Sequence, residues 1–193
     1  MLEGIDGAGK SEQSHRLAAW LREQGERVVE TSEPSEGEWG RRYRAWARGA
    51  LEAQPDEVLR FFVEDRREHV AALIRPALEK GAIVVCDRYV ASTLAYQAAQ
   101  GIDREQLRKC MEPARFPEPD LVLWLRLPIE QALARLGSST KERFERAAFL
   151  ERVDAEYARL GLEEIDASLA MDAVANAIRD RVQELLGRGC LGS

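Results

Sequence analysis

The chain is poor in the residues that build most metal and redox centres. Among 193 residues there are only two histidines and three cysteines. Cys86, Cys110 and Cys190 are odd in number and lack the paired spacing of zinc ligands. That pattern argues against a His/Cys metal site and a disulfide framework, and it fits a reduced, cytoplasmic protein. No apolar stretch approaches the ~20 residues that a membrane-spanning helix needs, and the first residues do not read as a secretory leader. Acidic residues outnumber basic ones, 34 to 28, for a formal charge of −6. A general binder of nucleic acid or of anionic membranes would carry the opposite balance. Repeats, low-complexity segments and domain linkers are missing too. The reading is therefore one domain over residues 1–187, followed by a short tail at 188–193.

What is present is an alternation of two patterns. Short apolar, β-branched runs at VVET (28–31), AIVVC (82–86) and DLVLWLRL (120–127) read as buried strands, with LEEID (162–166) a weaker fifth. Helical spacing fills the gaps at about 11–24, 56–80, 90–100, 103–112, 128–136, 142–160 and 168–187. Pro76 lies inside the second of these and must kink it or end it early, because proline cannot donate to the carbonyl four residues back. Strands alternating with helices imply an α/β fold, with a parallel sheet covered on both faces.

The chemistry starts at Gly4. The run Gly4, Ile5, Asp6, Gly7, Ala8, Gly9, Lys10, Ser11 fits the phosphate-loop pattern G-x-x-x-x-G-K-[ST]. Its glycines let backbone N–H groups close on phosphate oxygens, and the helix that follows adds its positive end. Lys10 can reach the β- and γ-phosphates of ATP, and the Ser11 hydroxyl can ligate Mg²⁺. Asp87, at the end of the AIVVC run, stands where such proteins keep a second group for the metal. Its alternative role is a helix N-cap. Since open parallel sheets bind ligands at their carboxyl edge, Asp87 and the loop should meet there.

Beyond the loop, the chain resembles the thymidylate kinases, P-loop nucleoside-monophosphate kinases, over nearly its whole length. The segments that carry the resemblance are EGIDGAGKSEQ (3–13), TSEP (31–34), LRFFVEDRREHVAALIRPALEKG (59–81), VVCDRYVASTLAYQ (84–97), PDLVLWL (119–125), ERFE (142–145), RVDAEYARL (152–160) and IDAS (165–168). DRYVASTLAYQ and FFVEDR are the most specific of these. The resemblance implies a three-layer P-loop NTPase fold with a five-stranded parallel sheet and a lid at about 137–148. It also implies Mg²⁺- and ATP-dependent conversion of dTMP to dTDP in dTTP synthesis, usually by a homodimer, with neither nucleic acid nor membrane as partner.

By position, the resemblance places Phe62 against the thymine ring, Arg66 on its carbonyl edge and Arg88 on the acceptor phosphate. Thr93, Tyr96 and Gln97 fall where base and sugar are contacted, with Tyr96 crowding a ribose 2′-hydroxyl. Asp6 would orient the acceptor. In the lid, Arg143, with Lys141 or Arg146, would neutralise charge on the transferred group, and Glu145 would assist near the acceptor. Read without the resemblance, Phe62 could be core, Arg66 a solvated helix face and ERFE a charged helix start.

Three positions depart from the family pattern. Glu12 follows the metal-ligating serine, where a carboxylate turned inward would repel ATP. An outward pose is expected. Ser32 stands where an arginine is usual, and GRRYRAW (40–46) reads as a solvated helix face. The strand before the loop is only Met1, Leu2 and Glu3, against ~5–6 residues for a typical strand. Residues upstream of Met1 are the favoured explanation, and a loosened loop is the expected consequence. The residues alone leave two other readings open: a kinase of another pyrimidine nucleotide or deoxynucleoside, and a nucleotide-binding protein with little turnover and a regulatory role.

Overall fold

The computed structural model describes residues 1–112, 116–137 and 140–189, apart from the side chains of 55, 140–145, 188 and 189. The apolar runs become β1 (Leu2–Glu3), β2 (Val28–Ser32), β3 (Ile83–Asp87), β4 (Leu123–Arg126) and β5 (Glu163–Asp166). They form one parallel sheet in the order β2-β3-β1-β4-β5. Parallel neighbours cannot be joined by tight turns, so helices make the crossovers. These are α1 (Lys10–Glu23), α2 (Glu38–Ala47), α3 (Pro55–His69), α4 (Arg75–Glu79), α5 (Val90–Ala99), α6 (Arg104–Cys110), α7 (Ile129–Leu136), α8 (Thr140–Arg159) and α9 (Met171–Gly189).

The helix expected over 56–80, with a kink or early end at Pro76, is two helices, α3 and α4, joined by a π-helical turn at Val70–Ile74. In that turn the Arg75 N–H bonds back to the Val70 carbonyl, five residues away. Pro76 explains the break. It has no N–H for the Ala72 carbonyl and its ring would collide with it, so the wider turn just upstream takes up the misfit.

GRRYRAW also departs from its reading. It lies in α2, and only Arg41 and Arg42 of its first residues are solvated. Tyr43 is half-buried with its ring 4.5 Å from that of Phe62, and Arg44 donates to the Pro34 carbonyl at 3.0 Å.

β1 is short but paired on both sides: Leu2 lies opposite Asp87 and Leu123, and Glu3 opposite Trp124. Successive strand residues face opposite sides of a sheet. Leu2 accordingly packs beside Leu17 and Leu21 of α1, while Glu3 reaches Ser92 of α5 and Tyr157 of α8. The main core is built around Leu2, Leu21, Leu123, Leu125, Val153 and Ile178, all nearly inaccessible to solvent.

The strand order decides where a ligand can bind. From β1 the chain runs past β3 to β2, and from β3 it passes to β4 on the other side of β1. The loops leaving the adjacent strands β1 and β3 therefore diverge, and a crevice opens between them at the carboxyl edge. The first loop is Gly4–Gly9; the second begins at Asp87 and Arg88.

Candidate active site

The loop after β1 folds as its glycines dictate. Gly4 has φ 141° and lies against β4, so an added Cβ would stand 2.5 Å from the Leu125 carbonyl oxygen. Gly4→Ala should therefore cost at least ~1–3 kcal/mol in backbone strain, before any clash. Thermal denaturation would show this as a lowered Tm. Gly9, at φ 87°, is the N-cap of α1, and its left-handed backbone turns the loop onto the helix axis. The first N–H groups of α1 lack partners inside the helix and carry its positive end.

Lys10 starts α1 and is 6% exposed, its Nζ donating to the Ile5 carbonyl at 2.8 Å. Burial, and then the nearby Arg88 guanidinium, lower its pKa to about 8. An anion at the loop would reverse that penalty. The Ser11 hydroxyl donates to Asp87 Oδ2 at 2.5 Å. Asp87 Oδ1 is buried and has no hydrogen-bond partner among the described residues. The helix-cap alternative for Asp87 is not realised, since Tyr89 occupies the N-cap position of α5. Glu12 points outward as expected, exposed and paired with Arg16 at 2.6 Å. Ile5 and Ala8 are buried and can offer a ligand only backbone atoms.

Beside the loop, a pocket opens that is lined by Asp6, Glu33, Pro34, Tyr43, Phe62, Arg66, Arg88, Tyr89, Ser92, Thr93 and Tyr96. Arg88 is its central cation. It is the one non-glycine residue among those described with positive φ, at 70°. Strained backbone of this kind persists where the surroundings over-determine it. Here the guanidinium donates to Asp6 Oδ1 at 2.6 Å, to Ser92 Oγ at 3.1 Å and to the Gly4 carbonyl at 3.2 Å. The Tyr96 hydroxyl accepts the Asp6 N–H at 3.1 Å, and burial pushes its pKa up to about 12, so it stays protonated.

Arg66 is not a solvated helix face: it is 1% exposed. Its Nε donates to Glu33 at 2.8 Å and its second amino nitrogen to Thr93 at 3.0 Å, while the plane lies 4.9 Å from the Tyr89 ring. Glu33 in turn meets His69 Nδ1 at 3.1 Å, and His69 Nε2 is 2.7 Å from the Thr31 hydroxyl. Phe62 is half-buried and lines the pocket rather than the core.

Thus Asp6, Arg88, Phe62, Arg66, Thr93 and Tyr96 are brought together. Gln97 is not among them. It is buried on α5 outside the lining, its Oε1 without a partner. The side chains of Lys141, Arg143 and Glu145 lie outside the described residues, and Arg146 is exposed.

Four further residues escape a reading of the sequence. Tyr43 completes the aromatic wall with Phe62. Arg135, on α7, bonds the Gly7 carbonyl at 3.0 Å and lies over the loop. His69 and Glu33 complete the Arg66 cluster. The i, i+3 spacing of Arg66 and His69 hints at a shared face, but nothing local predicts Glu33, just after β2, between them.

Comparison with known proteins points the same way. A sequence model of the family described as Thymidylate kinase matches residues 2–178. A thymidylate kinase of Desulfotalea psychrophila is 40% identical over 192 residues, covering 96% of this chain and 94% of that protein. One from Akkermansia muciniphila is 41% identical, covering 93% and 88%. One from Xanthomonas campestris pv. campestris is 45% identical, covering 90% and 77%. With a complete phosphate loop, an adjoining aromatic pocket that holds two arginines, and a family match over nearly its whole length, the chain belongs to the thymidylate kinase family.

Proposed function

We propose that the chain transfers the γ-phosphoryl group of ATP to dTMP, giving dTDP for dTTP synthesis. One observation carries this reading. The phosphate loop and a pocket walled by the Tyr43 and Phe62 rings open side by side at the switch point of the sheet, with Arg88 between them.

The acceptor's phosphate has a second pKa near ~6 and is largely dianionic at neutral pH, so no general base is needed to activate it. Catalysis is then mainly positioning and charge. Lys10 and the N–H groups at the start of α1 hold the triphosphate. Arg88, fixed by Asp6 and Ser92, holds the acceptor phosphate in line with it. Phe62 stacks on the base and Arg66 donates to its carbonyl edge, while Thr93 shares that wall. Tyr96 crowds the position of a ribose 2′-hydroxyl, and Asp6 orients the sugar. Arg143 from the lid supplies a cation to the moving group, and Glu145 assists at the acceptor.

Magnesium suits the Ser11–Asp87 corner, where the donors are hard oxygens and a buried carboxylate oxygen lacks a partner. Among the described residues there is no cluster of three or more His, Cys, Asp or Glu that could hold a metal alone. When bound, magnesium supplies charge that screens the β- and γ-oxygens. A cytoplasmic homodimer is the setting that goes with this reading, on the strength of the family resemblance. Among the described residues no helix is long and apolar enough to cross a membrane.

The test is ADP formation from Mg·ATP with dTMP, dUMP, UMP, CMP and thymidine offered separately. dTMP is expected to lead. ATP binding without turnover of any acceptor would overturn the kinase reading, and a lead by another acceptor would move it to a related pyrimidine kinase.

A further inference from the structure

The inner end of β1 holds a carboxyl group that the phosphoryl transfer itself does not use. Glu3 is completely buried. Its Oε1 accepts the Tyr89 backbone N–H at 2.7 Å, and its Oε2 accepts the Ser92 hydroxyl at 2.5 Å. The Tyr157 hydroxyl lies 3.1 Å from the same Oε2 and 2.8 Å from Ser92 Oγ. Burying such a group is costly unless each oxygen is satisfied, and here both are.

The two contacts made by Glu3 bracket Arg88. Tyr89 is the next residue, so its N–H belongs to the peptide that follows the strained φ of Arg88. Ser92 has one hydroxyl hydrogen. Once that is given to Glu3, the oxygen can only accept from Arg88, whose guanidinium lies 3.1 Å away. A relay therefore runs from the Arg88 N–H through the Ser92 O–H to Glu3.

We propose that Glu3 is a positioning residue for Arg88: through Ser92 and the Tyr89 N–H it sets the pose of the guanidinium and hence the affinity for the phosphate of the acceptor. The proposal rests on the reading of Arg88 as the clamp for that phosphate. Glu3→Gln keeps the shape and one acceptor oxygen. Its amide N–H, however, would replace the oxygen that accepts the Ser92 hydrogen, so the Ser92 O–H would have to turn toward Tyr157 and its oxygen would be shared between the amide and Arg88.

The experiment is calorimetric titration of dTMP and of thymidine, which differ only by the phosphate, into the wild-type chain and its variants. Arg88→Ala should weaken dTMP roughly 10- to 100-fold, the scale of a lost charged hydrogen bond, with thymidine nearly unchanged. Glu3→Gln and Ser92→Ala should each weaken dTMP several-fold relative to thymidine, and the double variant should be no worse than Ser92→Ala alone. Ser92→Ala leaves Glu3 with its Tyr89 and Tyr157 contacts, so it carries the test if Glu3→Gln does not fold. An unchanged dTMP-to-thymidine ratio in Arg88→Ala would overturn the clamp reading. A ratio altered in Arg88→Ala but unchanged in Glu3→Gln and Ser92→Ala would overturn the role of Glu3 alone. Equal weakening of both ligands by Glu3→Gln would reduce it to a structural part.

Discussion

Replacing Lys10 with methionine is expected to lower kcat by about 10²- to 10³-fold, the usual cost of removing one pre-placed charge donor from a developing negative charge. Methionine keeps most of the volume in a site that is 6% exposed, so the fold should survive and the loss should appear in turnover rather than in Tm. The variant should also change the pH dependence of ATP binding. In the free protein Lys10 has a pKa of about 8, held down by burial and by Arg88. It is charged below that pH and neutral above it. Triphosphate favours the charged form, so binding raises the pKa and takes up a proton above pH 8. The sign follows directly. ATP affinity should be flat below about pH 8, then fall by up to about tenfold per pH unit above it. Titrations from pH 7 to 9.5 would show that fall in the wild type and its absence in Lys10→Met. A fall that persisted in the variant would assign it to another group.

Arg66→Leu should cost about 3–5 kcal/mol of stability, because it strips the arginine partner from a buried carboxylate and leaves it only His69. Glu33 is 6% exposed and meets both Arg66 and His69, and among the described residues no other basic side chain pairs with its oxygens. For a chain of this size that corresponds to a fall of roughly 6–20 °C in Tm. Replacing both partners, as in Arg66→Leu with Glu33→Leu, should recover much of the loss, since no charge is then left buried alone. Neither variant should recognise the base, however, so KM for dTMP should remain high in the restored double variant. Recovery of Tm together with recovery of KM would show that Arg66 serves the fold and not the acceptor.

The phosphate loop was legible because its function depends on local backbone. Gly4, Gly9, Lys10 and Ser11 lie within eight consecutive residues, so their spacing in the chain already describes the shape of the loop. The sheet was legible for a similar reason: β-branched runs bounded by glycines and broken by amphipathic helices admit few arrangements. Asp87 could be found as the polar end of a buried strand, and its contact with Ser11 followed from the rule that places both at one sheet edge.

The breaks in the reading came where partners are far apart in sequence. A π-helical turn resolves the Pro76 conflict one turn upstream, a choice among several that the tertiary packing made. GRRYRAW looked like a solvated face because three of its seven residues are arginines, yet Tyr43 and Arg44 turn toward Phe62 and Pro34. Glu33 and Arg66 are 33 residues apart, and Ser92 and Glu3 are 89 apart. No period of a helix or strand carries such a pairing. Gln97 is buried on α5 and is not among the residues that line the pocket with Thr93 and Tyr96, although the i, i+4 spacing from Thr93 suggested a shared face.

The sequence by itself therefore determined the α/β class and the phosphate loop, because those rest on short-range backbone chemistry, while the kind of reaction came from its resemblance to the thymidylate kinases. Only the tertiary structure decided which side chains surround Arg88 and Arg66. Buried charges choose their partners by desolvation, and the partners are whatever the crossing of strands and helices brings within hydrogen-bond reach.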